Sequence, residues 1–174
     1  MKIIDTQILR GPNYYLSHSK KLIEMKVDLG ITEYCPINKI EGLAENLERF
    51  IPTLKNHFCS AGESGGFLKR VREGTWMGHV IEHIAMELQT LADMSCGHGR
   101  TRSAGENGIY IVVFSYERED AGLYAGKAAL KIVETLLSER PYDIEKDLIQ
   151  LEMFQRCEGP STLAVASRNF RDAV

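Results

Sequence analysis

The chain has 174 residues, 44% of them apolar and 26% charged, so it can close one hydrophobic core without staples and is too apolar to stay disordered. Its 21 basic and 24 acidic residues give a formal net charge of -3, which excludes a chain-wide attraction to nucleic acid or to an anionic membrane. No apolar run approaches the roughly 18 to 20 residues needed to span a bilayer, and Cys35, Cys59, Cys96 and Cys157 form no C-x-x-C pair, so a cytoplasmic protein with reduced thiols is expected.

In chain order, Ile3 to Leu9 reads as a short strand, and the Gly-Pro of RGPNYY after it reads as a turn. From Lys21 to Leu29, the residues Ile23, Met25, Val27 and Leu29 alternate with Glu24, Lys26 and Asp28, the period of a half-buried strand. These two strands are expected to pair antiparallel. Leu43, Leu47, Phe50, Ile51 and Leu54 recur at helical spacing from about Ile40, with Pro52 as an interruption. Cys59 to Gly66 is too rich in Gly and Ser for regular structure and reads as a loop whose backbone N–H groups can face an anion. It lacks the Lys-Ser/Thr ending of a P-loop.

Thr75 stands as the N-cap of the next helix, in which Met77, Val80, Ile81, Ile84, Ala85, Leu88, Leu91 and Ala92 define one apolar face. His79, Glu82, His83, Met86 and Thr90 fall on the opposite side. Ile109 to Tyr116 is apolar at nearly every position, which predicts a central strand covered on both faces. Ala128, Ala129, Ile132, Val133, Leu136 and Leu137 mark a helix ending before Pro141, and Asp143 caps another that carries Leu148, Leu151 and Phe154. Strands and helices do not alternate strictly. The fold class is therefore α+β, an antiparallel or mixed sheet with helices packed on it and one helix carrying the histidines. Residues 1–157 form the expected domain, and 158–174 a linker or frayed tail.

His79, Glu82 and His83 spell H-x-x-E-H. Residues four apart on a helix lie about 5 to 6 Å apart at Cβ, so the two imidazoles can aim at one ion. A catalytic zinc site takes three protein ligands and leaves a fourth position to water, and Glu82 stands where it can act as general base. The bland alternative is a solvated helix face. For the third ligand Glu119 is the first candidate, with Glu117 and Glu87 as alternatives. Glu87 lies on the same helix, where three ligands would span about 12 Å. Cys59, Cys96 and His98 also have suitable chemistry. Arg70 and Arg72 before the helix and Arg100 and Arg102 after it can fork onto carboxylates, with Ser60 of the Gly-Ser loop beside them; ordinary surface arginines are the alternative. Trp76, Tyr14 and Tyr15 lack the basic interleaving of a nucleic-acid platform and read as packing residues.

RGPNYY at Arg10 to Tyr15, LIEMKVDLG at Leu22 to Gly30, HFCSAGESGGFLKRVREGTWMGHVIEHIAMELQ at His57 to Gln89, GHGRTR at Gly97 to Arg102 and IYIVVFSY at Ile109 to Tyr116 occur in an order and spacing that resembles the N-terminal domain family of cyanophycin synthetases. The likeness runs over about residues 1–162. It implies kinship with enzymes that polymerise aspartate and arginine into multi-L-arginyl-poly-L-aspartate with ATP. Their ATP-grasp and Mur-ligase-like domains would follow this segment, and no G-x-x-x-x-G-K-[ST] run occurs here. The resemblance further implies a domain that holds the polymer, cyanophycin, and a metallopeptidase-like centre at His79, Glu82 and His83 that clips it into primers, with Arg100 and Arg102 in the matching G-x-G-R-T-R block. His98 stands where the family commonly has an aromatic residue, and Ser103 where it commonly has an acidic one. The expectation is a metal-dependent, zinc-using hydrolase domain, with a non-catalytic polymer-binding module as the alternative. Its expected partners are the polymer and a second copy of the chain, with no nucleic acid and no membrane.

Overall fold

The computed structural model describes residues 1–10, 21–59, 62–106 and 108–156. The tail expected over 158–174 lies outside them, as do Ser60, Tyr14 and Tyr15. Four strands, β1 (Lys2–Leu9), β2 (Leu22–Asp28), β3 (Gly99–Ser103) and β4 (Ile109–Ser115), form one antiparallel sheet in the order β1-β2-β4-β3. The helices are α1 (Leu43–Phe50), α2 (Gly66–Glu73), α3 (Met77–Leu91), α4 (Glu119–Leu137) and α5 (Ile144–Arg156). This is the expected α+β class, with β1 and β2 paired as their alternation predicts.

Side chains alternate across a sheet, so register decides which residues meet the helices. Ile23, Met25 and Val27 of β2 stand opposite Phe114, Val112 and Tyr110 of β4, and all six belong to the buried core. The same register puts Gly99 opposite Phe114 and Thr101 opposite Val112. Gly99 therefore lies on the side of β3 that α3 packs against. Helix α4 lies close on β2 because Gly122 and Gly126, one turn apart, carry no side chain: a Cβ there would stand 2.7 Å from Ile23 Cδ1 and 2.6 Å from Met25 Sδ. Gly78 does the same for α3, since a Cβ would come within 2.1 Å of the Tyr110 ring.

Pro52 interrupts the helical run as expected: α1 stops at Phe50 and a 3-10 turn, Pro52–Asn56, begins with Pro at its first position, where a missing N–H costs nothing. The Gly-Ser stretch yields to α2 at Gly66, and β3 occupies Gly99–Ser103, where no apolar alternation announced a strand. Thr75 is not the N-cap of α3, a position taken by Trp76 without a side-chain cap; the Thr75 hydroxyl faces His79 Nδ1 instead. Asp143 does accept a bond from the Glu145 N–H at the start of α5.

Helix α3 departs most from the amphipathic picture. Its apolar face is in the core as expected, but Glu82 and His83 on the other side are only 5% and 4% exposed. They are covered by Phe67 of α2, whose ring stacks on His83 with centroids 4.1 Å apart, and by Gly99 of β3. Gly74, at φ +119, lies in a backbone region that side chains rarely adopt and ends α2 just before α3 begins at Met77.

Candidate metal centre

His79 and His83 face the same way from adjacent turns of α3, as their spacing requires. Cys59 reaches them from the segment between the 3-10 turn and α2. That segment is held by the Phe67 N–H, which donates to His57 O, and by the Gly62 N–H, which donates to Cys59 O. One donor atom from each of Cys59, His79 and His83 lies within 4.8 Å of the other two. Cys59 Sγ is 3.4 Å from His79 Nε2. The Nδ1 atoms are already engaged, that of His79 with Thr75 Oγ1 at 2.9 Å and that of His83 with His57 Nδ1 at 2.9 Å, which leaves Nε2 of both rings for an ion. Two imidazoles and a thiol suit a borderline-soft divalent cation with an open fourth position.

Burial shapes the protonation of this cluster. Desolvation, with a smaller push from the Arg70 charge, lowers His79 to about 4. Desolvation, then His79 and His57, lowers His83 to about 2. Both rings are thus neutral near pH 7, the form that ligates metals. Burial pushes Glu82 the other way, up to about 8. Its carboxyl lies against Gly99 Cα and lines a cavity of about 500 Å³ that also exposes His79, His83, Cys59, Arg70 and Arg100. A second cavity, of about 550 Å³, lies beyond His83 and shares Phe58, His83, Met86 and Gly97 with the first.

The acidic candidates for third ligand are elsewhere. Glu119 opens α4 and forms an ion pair with Arg10, and Glu117 accepts the Ser95 N–H at 2.6 Å. Glu87 is buried and bound to His57 Nε2. Cys96 donates to Ser115 O at 2.9 Å, and His98 lines the first cavity. Among the arginines, Arg70 and Arg100 border that cavity, whereas Arg72 is held by Glu45 and Glu48 of α1 and Arg102 is not part of its wall. His57 escaped notice in the sequence. Its signal is the pair His57-Phe58-Cys59, two metal-type side chains two residues apart, which lies before the H-x-x-E-H helix.

The model of the cyanophycin synthase-like N-terminal domain matches residues 24–138. A cyanophycin synthetase of Synechocystis is 48% identical over 172 residues, covering 96% of this chain and 20% of the relative. Those of Geminocystis herdmanii and Crocosphaera subtropica are each 47% identical over 167 residues, covering 93% of this chain and 19% of theirs. The chain spans about a fifth of the length of these relatives. None of the described helices is long and apolar enough to cross a membrane. With two thirds of its length inside the matched region and relatives 47–48% identical over more than nine tenths of it, the chain belongs to the cyanophycin synthase-like N-terminal domain family.

Proposed function

We propose that this chain binds cyanophycin, the Asp-Arg polymer its relatives are named for, and cleaves it by metal-dependent hydrolysis, supplying short primers. The observation that carries the reading is the convergence of Cys59, His79 and His83 beside Glu82, a carboxyl held out of water on the wall of a cavity large enough for a peptide segment. Cys59 takes the place in the ligand set that an acidic residue was expected to fill. Zinc is the ion the donor set favours. When bound, such an ion lowers the pKa of water to about 7 and polarises a carbonyl.

The chain's own residues supply the rest. Glu82, raised to about 8 by burial alone, acts as base in its ionised form, which the charge of a bound cation would favour; it takes a proton from the attacking water as the new C–O bond forms, and delivers it to the leaving amine as the C–N bond breaks. Arg70 and Arg100 hold carboxylates of the polymer by charge-assisted hydrogen bonds. Burial of Glu82 keeps solvent from competing for that proton. ATP-dependent polymerisation would belong to domains beyond this segment.

The test is metal content by mass spectrometry and product release from purified cyanophycin, with parent protein and Glu82→Gln. Bound metal with release that needs both Glu82 and the ion supports the reading. Polymer retention indifferent to chelator and to Glu82 would instead assign the non-catalytic binding module.

A further inference from the structure

His57 and Glu87 lie behind His83 and have no part in the chemistry just described. His57 Nδ1 is 2.9 Å from His83 Nδ1, and His57 Nε2 is hydrogen-bonded to a carboxylate oxygen of Glu87. Glu87 is 3% exposed and the His57 side chain 18%, so neither bond is a chance surface contact. They come from two elements: Glu87 stands one turn beyond His83 on α3, and His57 follows the 3-10 turn. Among the described residues no lysine or arginine pairs with Glu87.

With an ion on His83 Nε2, His83 Nδ1 must carry the ring's hydrogen and donate it. The acceptor in reach is His57 Nδ1. His57 accepting at Nδ1 must then carry its own hydrogen on Nε2, and it meets the Glu87 carboxylate, which can only accept. The donors and acceptors thus run in one direction, from the ion outward to Glu87.

We propose that Glu87 and His57 are positioning residues of the metal centre, Glu87 orienting His57 and His57 fixing the ring of His83 so that Nε2 faces the ion. The inference rests on the metal reading of the same site. Metal-ligating histidines characteristically donate their second N–H to a carboxylate or carbonyl, and loss of that partner weakens metal binding by about ten- to a hundred-fold. Here an imidazole is interposed between ligand and carboxylate.

The experiment is a cobalt(II) titration of the full chain against a competing chelator, followed by the thiolate-to-cobalt absorption that Cys59 would give. It compares the parent with His57→Ala, Glu87→Ala, Glu87→Gln and the double alanine variant, and records the thermal midpoint of each metal-free protein. The expected result is a loss of cobalt affinity of about ten- to a hundred-fold for each single variant, with the double variant no worse than the weaker single. Losses that multiply in the double variant, or single variants within twofold of the parent, would overturn it. If the alanine variants fail to fold, the near-isosteric Glu87→Gln decides alone: about tenfold weaker cobalt binding at a parent-like midpoint supports the relay, and parent-like affinity overturns it. A parent that takes up no cobalt defeats this inference and the metal reading together, whereas a parent that binds cobalt through Cys59 with unaffected variants defeats this inference only.

Discussion

Gly99 and Glu82 are in direct contact: a Cβ on Gly99 would stand 2.2 Å from Glu82 Oε1 and 2.6 Å from its Cδ. The proposed general base thus owes its position to the absence of a side chain on the neighbouring strand, where register aims residue 99 at α3. A Gly99→Ala change is expected to displace the carboxyl while sparing Cys59, His79 and His83. Misplacement by about 1 Å can cost roughly a hundred-fold in rate, so polymer cleavage should fall on that order with cobalt affinity near the parent's. Equal loss of both would show that the strand, and not Glu82, had been disturbed.

Cys59 is the proposed third donor, the one thiol whose ligand atom lies within 4.8 Å of those of His79 and His83 among the described residues. Cys59→Ala should remove the thiolate-to-cobalt absorption entirely and weaken binding by more than the roughly hundred-fold upper figure for an outer partner. Glu119→Gln and Glu117→Gln should leave cobalt affinity unchanged, because those carboxylates are committed to Arg10 and to the Ser95 N–H. Optical titration of the three proteins separates these outcomes.

Burial of Glu82 has a signed consequence for stability. Its carboxyl is raised from 4.5 in the unfolded chain to about 8 in the folded protein, so between these values the unfolded state is ionised while the native state keeps its proton. The native state therefore loses stability as pH rises through that window, by at most about 1.4 kcal/mol per pH unit, and the loss is complete above about pH 8. Glu82→Gln lacks this dependence. Urea unfolding of both proteins in chelator, from pH 5 to 8.5, should show the wild type losing ground to the variant by a few kcal/mol in total, on the order set by that slope. His79 and His83, lowered on folding, act in the opposite direction below the ordinary histidine value of 6.5, but equally in both proteins. A difference independent of pH would mean that Glu82 is solvated.

Asp147 locks α5 to the body of the protein. It accepts hydrogen bonds from Tyr124 of α4 at 2.8 Å and from Tyr142 at 2.7 Å, and is itself buried. Asp147→Ala strands both hydroxyls and should cost roughly 1–3 kcal/mol, read as a lower urea midpoint. Cobalt affinity should not change, since neither tyrosine touches the centre.

Periodicity was enough for β2, the buried face of α3 and the approximate place of α4 and α5, because each carries a repeat of two or 3.6 that only one backbone conformation can bury, and β4 was legible from its unbroken apolar run. The same spacing fixed that His79 and His83 share a side of α3. Other features have no local signature. β3, with the sequence GRTRS, is a strand because β4 offers it an edge to pair with, and its composition gives no apolar alternation to read. Burial of Glu82 and His83 depends on Phe67 and Gly99, which arrive from elements on either side of α3 in the chain. The approach of Cys59 to His79 and His83, and the line from His83 through His57 to Glu87, follow from how the segment after the 3-10 turn folds over the helix. Coordination and hydrogen bonding need atoms within a few ångströms, and distances between residues twenty or more apart in the chain are set by core packing, which no local repeat encodes.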